Sequence, residues 1–436
     1  MLEGKTYYLR TFGCQMNVND SEHIASLLLA EGARPASQVE DSDFILVNTC
    51  AVREKSVEKF FSYLGRLKES KEKRGSLLVC LGCVAQIYRE ELLRKFPYLD
   101  LIVGTNQYSA IPFFLRNLLE EKRVQTGRKK GWLELPIARE ARESQVSAYV
   151  TIMEGCNNFC SFCVVPFARG REKYRPLSSI LKEVKELADC GCLEVQLLGQ
   201  NVNSYRDPES GAGLKELLAE IAEVPGIEWI RFLTSHPKNF SPELIRAMVS
   251  SRKICHQLHL PLQSGSNRIL KKMNRGYSRE DYLNKIDLLR SLMPDISLST
   301  DIIVGFPTET EEDFAMTMEL LEKVRFSNVF SFRYSPRPLT AASKIKDDVP
   351  DQTKIDRLIR LQAKQKDIQL ELNRNYLMKT IKVLCLGPSK KGNLFAGRSE
   401  WFQVVNFSSP NNVSLGLVQV KITGCGPYSL HGELSG

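Results

Sequence analysis

Short apolar runs alternate with amphipathic stretches of helical period over the first hundred residues. Tyr7 to Thr11 reads as a strand, with a helix from about Asp20 to Ala30. Phe44 to Asn48 is a second strand before a helix over Glu54 to Glu69, and Leu77 to Leu81 a third before a helix over Ile87 to Phe96. Leu101 to Val103 is a fourth. Strands alternating with helices need right-handed crossovers, so residues 1–125 are expected to form a doubly wound parallel α/β domain. The polar stretch Glu120 to Lys130 predicts a linker.

The alternation then repeats on a larger scale. Candidate strands are Ala148–Met153, Glu194–Leu198, Trp229–Leu233, Gln257–Leu260, Ile296–Val304 and Val329–Tyr334. Helical patterns between them cover Ser178–Ala188, Leu214–Val224, Ser241–Val249, Arg279–Leu292 and Glu311–Val324. Six such units fall short of an eight-stranded barrel. Residues 142–372 are therefore expected to form an open, partial (β/α)6 barrel whose gap admits a large substrate. Asp351 to Leu372, after Pro350, reads as a polar helix that acts as a strut. In residues 373–436 the runs Ile381–Leu386, Phe402–Phe407 and Leu417–Thr423 are separated by Gly, Pro, Asn and Ser. That pattern predicts a small all-β barrel.

A length of 436 residues fits about three domains. An apolar share of 43% with 25% charged residues excludes wholesale disorder. No run approaches the roughly 18 apolar residues of a membrane span, and the N-terminal residues lack an apolar signal core. A cytoplasmic protein with no membrane partner is expected. In a reducing compartment, the 12 cysteines point to metal binding or chemistry rather than disulfides. The net charge of +9 is uneven. From Asn373 onward Arg374, Lys379, Lys382, Lys390, Lys391, Arg398 and Lys421 face only Glu400 and Glu433. A nucleic-acid-binding appendage has that balance, and a solvated basic tail is the competing reading.

The strongest local signal is Cys156-Asn-Asn-Phe-Cys160-Ser-Phe-Cys163, just beyond a candidate strand. Three thiolates at this spacing can wrap three irons of a cubane and leave the fourth open. A structural zinc wants four ligands, and no fourth Cys or His lies nearby. A second set is dispersed: Cys14, Cys50 and Cys83 each follow a strand. In a parallel sheet the carboxyl ends share one edge, so these three converge on one rim. Cys80 is the rival third ligand. Cys83 is preferred because it stands past the strand, where Gly82 permits a tight turn. Cys190, Cys192, Cys255, Cys385 and Cys425 read as small buried hydrophobes, and His236, His256 and His259 as packed or hydrogen-bonded residues.

The three-cysteine loop resembles that of the radical S-adenosylmethionine superfamily, with Phe162 resembling its usual aromatic. Gly13-Cys14-Gln15-Met16-Asn17, Asn48-Thr49-Cys50-Ala51-Val52-Arg53-Glu54-Lys55 and Gly82-Cys83-Val84-Ala85 are similar to the methylthiotransferase N-terminal domain. Glu154 through Gly170, Gly199 through Tyr205, His259 through Ser266 and Asp301 through Pro307 resemble the same family's barrel. Gly416 through Thr423 resembles its RNA-binding TRAM barrel. Gly-Cys-Gln-Met-Asn, with Arg-Glu-Lys after the second cysteine, resembles the MiaB-type branch. That branch methylthiolates isopentenyladenosine beside the tRNA anticodon. Sister branches act on threonylcarbamoyl-adenosine or on a ribosomal protein. Two features depart from the family: Leu339 stands where Gly is usual before Thr340, and Ser399-Glu400-Trp401 diverges after Gly397-Arg398.

The resemblance implies two 4Fe-4S clusters and S-adenosylmethionine. Cys156, Cys160 and Cys163 would hold the radical cluster, and Cys14, Cys50 and Cys83 an auxiliary cluster for sulfur transfer. Gln200, Asn201, Gln263, Ser264 and Arg268, with Phe162 and Asp301, are the expected S-adenosylmethionine contacts. Asn17 and Asp20 are expected at the sulfur or base site, and Lys379, Lys382, Arg398 and Lys421 on RNA. Tyr428 and Trp401 read as core aromatics or stacking platforms. Expected partners are the tRNA anticodon stem-loop, an electron donor such as flavodoxin or ferredoxin, and a sulfur source, with the chain itself a monomer. The competing readings are a sister methylthiotransferase, a non-catalytic iron–sulfur RNA-binding protein and a zinc-stabilised RNA adaptor.

Overall fold

Along the first domain's strands, alternate residues face opposite layers, as a period of two requires. In the computed structural model Ile45, Val47, Leu78, Cys80 and Ile102 pack on one face, and Phe44, Leu46, Val79, Leu81 and Leu101 on the other. The structure describes all residues except Met1, Arg53, 118–122, Lys130, Leu133, Pro136, Lys390, Lys391, Asn411 and Gly436. The expected linker thus lies partly outside the described residues, as do Arg53 and the cations Lys390 and Lys391.

The first domain runs β1 (Thr6–Phe12), α1 (Gln15–Ala30), β2 (Arg34–Pro35), β3 (Phe44–Thr49), α2 (Glu54–Arg74), β4 (Leu77–Gly82), α3 (Cys83–Tyr88), α4 (Glu90–Lys95), β5 (Leu101–Val103), α5 (Ile111–Arg116) and β6 (Val124–Gln125). Its parallel sheet has the order β2-β1-β3-β4-β5-β6, with α1 and α5 packed on one face and α2, α3 and α4 on the other. The single helix expected over Ile87–Phe96 is interrupted at Arg89, whose φ is 46°. The expected linker contributes β6, which pairs with β5.

The central domain follows with β7 (Ser147–Thr151), β8 (Met153–Glu154), α6 (Val165–Ala168), β9 (Lys173–Tyr174), α7 (Leu177–Asp189), β10 (Glu194–Leu198), α8 (Leu214–Ala222), β11 (Trp229–Phe232) and α9 (Pro242–Val249). Then come β12 (Gln257–His259), α10 (Asn267–Lys272), α11 (Arg279–Leu292), β13 (Ser297–Val304), α12 (Glu311–Val324), β14 (Asn328–Arg333) and α13 (Asp351–Arg374). All six expected strands form, as two parallel triplets, β11-β10-β7 and β12-β13-β14. A bridge from Ile230 to Ile254 links the triplets. The helix expected as a strut is part of the core instead: Leu361 and Ile368 pack with the barrel's apolar residues, and Gln365 donates to Phe326 O at 2.8 Å.

The last domain is a closed barrel of β15 (Thr380–Pro388), β16 (Phe395–Ser399), β17 (Val404–Ser408), β18 (Gly416–Cys425) and β19 (Leu430–Leu434). It seats on the amino ends of the central strands, with Leu384 and Leu417 against Val146, Trp229 and Cys255. Beneath this contact Glu194 is fully buried. It accepts from Arg231 Nε at 2.6 Å and Arg398 Nη2 at 2.7 Å. Arg231 also donates to the carbonyls of Ser399 and Glu400 at 2.8 and 2.6 Å. Arg398, expected on RNA, is therefore committed to plugging the barrel floor. Among the described residues, no helix is long and apolar enough to cross a membrane.

Burial raises the Glu194 carboxyl, but Arg398 and Arg231 outweigh it and hold it below the usual range. Because the folded value is depressed, the stabilisation is complete above about pH 5 and is lost as pH falls through the folded value. Glu194→Gln leaves the buried Arg231 and the half-buried Arg398 without a carboxylate. It should cost about 3–5 kcal/mol, read as a lower urea midpoint at pH 7 and a flatter acid limb than the wild type.

Candidate active site

In a sheet of order 2-1-3-4-5, the crevice lies beyond the carboxyl ends of β1 and β3, where the order reverses. Cys14 and Cys50 flank that crevice, and Cys83 opens α3 beside it. The loops meet because two glycines omit a side chain. A Cβ on Gly13 would lie 2.8 Å from Cys50 Cβ and 2.6 Å from Asn17 Oδ1. Gly82, at φ 93°, would strike Asn48 and Thr49. Asn17 is buried, contacts Cys14 Sγ through Oδ1 at 3.4 Å, and donates to Asn48 Oδ1 at 3.1 Å. A hydrogen bond with Cys50 pulls the Cys14 thiol down to about 6 and pushes Cys50 up. Cys80 instead lies in the apolar layer with Val47, Val84 and Ile102, where burial pushes its thiol up. The structure thus brings Cys14, Cys50 and Cys83 together and leaves Cys80 in the core.

This rim faces the carboxyl ends of the central strands. Met16 packs against Leu198 at the end of β10 and Leu233 just past β11. Asn19 accepts from Thr151 Oγ1 at 2.6 Å on β7. Across the mouth, Arg337 Nη2 donates to Val52 O at 3.1 Å and Ser335 Oγ to Glu54 Oε1 at 2.7 Å. Leu339 in that far loop holds φ 70° with its side chain exposed, so it keeps the left-handed conformation for which glycine is suited. Between the two edges lies Arg169, six residues past Cys163 and 3% exposed. It forms a two-pronged ion pair with Asp20 and a second with Glu154 at 3.3 Å, and its charge offsets part of the burial that pushes the Cys83 thiol up. Tyr108 donates to the same Asp20 at 3.3 Å. Asp20, expected at the sulfur or base site, is an interdomain anchor. The sequence held no signal for its partner.

The Cys156–Cys163 loop is pinned at several points. Gly155 N donates to the Gln200 side chain. Ser161 donates through N to Met273 O at 2.9 Å and through Oγ to Lys272 O at 2.8 Å. Phe162 packs against Ile269, Met273, Phe306 and Tyr334. Cys160 Sγ receives Arg275 Nη1 at 3.1 Å and faces His236 Nε2 at 3.8 Å. His236 Nδ1 accepts from Lys238 N at 3.2 Å, so Nε2 carries the proton. Burial, with Arg275 beside it, holds this imidazole down to about 2 and therefore neutral. Arg275 was missed in the sequence, where Met273-Asn-Arg-Gly-Tyr277 looks like an ordinary turn.

Of the expected S-adenosylmethionine contacts, Asn201 and Ser264 are buried beyond strand ends, and Gln263 turns there at φ 73°. Asp301 meets His259 Nε2 at 3.4 Å on the inner face of β13. Arg268 is already held by Asp313 and by Thr308, so the expected carboxylate partner is not free. Asn201 Oδ1 and Ser235 Oγ are buried without a hydrogen-bond partner, and a bound polar ligand would satisfy them. No three His, Cys, Asp or Glu side chains among the described residues close on a single-ion position. The six loop cysteines carry free thiols, and a triad of them suits a cube of irons with each thiolate at its own corner.

The radical SAM superfamily matches residues 150–321, and the uncharacterized protein family UPF0004 matches residues 6–104. A tRNA-2-methylthio-N(6)-dimethylallyladenosine synthase of Geobacter sulfurreducens is 45% identical over 438 residues, covering 100% of this chain and 98% of its own. One from Acetivibrio thermocellus is 44% identical, covering 99% and 91%. Among solved structures, a radical S-adenosylmethionine methyltransferase of Kitasatospora setae, bound to tryptophan and a S-adenosylmethionine analogue, shares the fold. It has a TM-score of 0.57 at 16% identity, covering 78% of this chain and 75% of its own.

Asp20→Leu should cost about 3–5 kcal/mol by leaving Arg169 with Glu154 as its one carboxylate. The Asp20→Leu/Arg169→Met double variant should be less destabilised than the two single losses summed, in a denaturation cycle. Iodoacetamide on the iron-free protein at pH 7 should label Cys14 well before Cys80, read by peptide mass spectrometry.

Proposed function

The chain belongs to the family of tRNA-2-methylthio-N(6)-dimethylallyladenosine synthases, and we propose that its two cysteine sites divide the work of one reaction on tRNA. The similarity from end to end, at 45% identity, carries this reading. The chain is a radical S-adenosylmethionine enzyme with a 4Fe-4S cluster. Cys156, Cys160 and Cys163 hold that cluster, and Cys14, Cys50 and Cys83 hold a second, which serves sulfur transfer. When bound, the radical cluster with S-adenosylmethionine supplies the carbon radical that an adenine C2–H demands, since that hydrogen is too weakly acidic for any side chain here.

The protein's own groups bind and orient. Gln200, Asn201, Gln263 and Ser264, joined by Ser235, would hold the polar groups of S-adenosylmethionine, and Phe162 anchors the Cys156–Cys163 loop against Ile269, Met273, Phe306 and Tyr334. Asp301 and His259 line the inner wall. Asn17 aims Cys14, and the Arg169–Asp20 pair keeps the first domain's rim against the barrel mouth. The adenine enters between the loops at Val52 and Arg337, whose exposed hydrogen bonds can yield to it. Lys379, Lys382 and Lys421 are exposed on the last barrel, and their hold on phosphate weakens with salt. The substrate is the anticodon stem-loop carrying isopentenyladenosine. A flavodoxin or ferredoxin supplies electrons, a separate source supplies sulfur, and the chain acts as a monomer in the cytoplasm.

Anaerobically reconstituted protein should methylthiolate isopentenylated tRNA and leave tRNA lacking that group untouched, as read by nucleoside mass spectrometry. Equal action on both would overturn the substrate assignment. Replacing Cys14, Cys50 or Cys83 with Ala should lower iron from about eight to about four per chain. Such variants should abolish sulfur insertion and keep S-adenosylmethionine cleavage, whereas Cys80→Ala should retain all the iron.

A further inference from the structure

Four arginines are buried among the described residues: Arg169, Arg231, Arg275 and Arg357. Three have a carboxylate, namely Asp20, Glu194 and Glu309. Arg275 has none within 4.0 Å among the described residues. Its donors go to Cys160 Sγ at 3.1 Å, Pro261 O at 2.7 Å and Tyr277 Oη at 2.9 Å. Tyr277 in turn donates to Leu262 O at 2.8 Å. Asn274 and Gly276 hold the segment in place at φ 56° and 68°. An isolated buried cation is costly, so its charge must be met by something beside it. The one group it touches that becomes anionic on binding iron is Cys160 Sγ, at 3.1 Å.

We propose that Arg275 is the built-in counter-ion of the cluster on Cys156, Cys160 and Cys163 and raises that cluster's reduction potential. The inference rests on the ligand assignment made above. A cube held by three thiolates is already anionic, and accepting one electron from an external low-potential donor adds a further negative charge without changing any bond or proton. A fixed positive charge and an N–H···S hydrogen bond stabilise the reduced form more than the oxidised one. Arg169 does not play this part at Cys83, because Asp20 and Glu154 already neutralise it. His236 faces Cys160 at 3.8 Å, farther than Arg275 at 3.1 Å, so its influence is weaker. Arg275 is a positioning residue: it acts on the thiolate and touches neither substrate nor radical.

The test is potentiometric titration of reconstituted holoenzyme, following by electron paramagnetic resonance the signal perturbed by S-adenosylmethionine. Arg275→Gln should lower that cluster's reduction equilibrium at least tenfold, about 59 mV for a one-electron couple, with iron content unchanged. Arg275→Lys should restore most of it, and His236→Asn should shift it less than Arg275→Gln. A wild-type midpoint in fully loaded Arg275→Gln overturns the proposal. Should Arg275→Gln lose iron, Arg275→Lys decides: within threefold of wild type supports the charge role, and a tenfold loss overturns it. Cys156→Ala tests the ligand assignment separately, since retention of the signal there would refute the assignment whatever Arg275 does.

Discussion

A guanidinium cannot leave water unless anions replace its solvation, and Arg169 finds those anions on two different parts of the fold. Asp20 comes from α1 of the first domain and Glu154 from β8 of the central one. The pair therefore acts as a register pin: only one docking of the two domains satisfies all three charges. The same arginine follows the Cys156–Cys163 loop, and its charge bears on the Cys83 thiol. One buried charge thus fixes how the two cysteine sets face each other. Apolar contacts such as Met16 against Leu198 add stability, but they would tolerate sliding where the ion pair would not.

The partial barrel is closed by different means at its two ends. At the amino ends of the strands, Arg398 and Arg231 converge on Glu194 and join the last domain to the floor. At the carboxyl ends, the first domain spans the mouth from β7 to the loop after β14. The exposed lysines of the small barrel and the cysteine sets therefore lie at opposite ends of the central strands. With up to eight residues in a strand at about 3.3 Å each, an RNA touching both ends must run along the outside of the barrel.

Strand positions were legible where apolar runs were dense. All four expected strands of the first domain and all six of the barrel form, and Arg279–Leu292 and Glu311–Val324 are helices to the residue. Phe395–Ser399 and Leu430–Leu434 went unread because Gly397 and Gly432 sit inside them. Those glycines are there because a side chain would strike the backbone of the neighbouring strand. The break at Arg89 and the core role of α13 were equally invisible, since a positive φ and a packing partner leave little mark on periodicity. Arg268 was expected on the carboxylate of S-adenosylmethionine and Arg398 on RNA, yet Asp313 and Glu194 hold them. A cation's local sequence does not reveal which distant carboxylate will claim it.

The sequence by itself determined the order of strands and helices, the three-thiol loop and the family, because spacing and apolar period are local properties written residue by residue. Only the tertiary structure set Cys83 beside Cys14 and Cys50 and Cys80 in the apolar layer, paired Asp20 with Arg169, tied Arg398 to Glu194 and left Arg275 beside Cys160 without a carboxylate. Each of those outcomes depends on which charges and thiols share a buried volume. Burial makes an unpaired charge costly, and it is a property of the assembled chain rather than of any stretch within it.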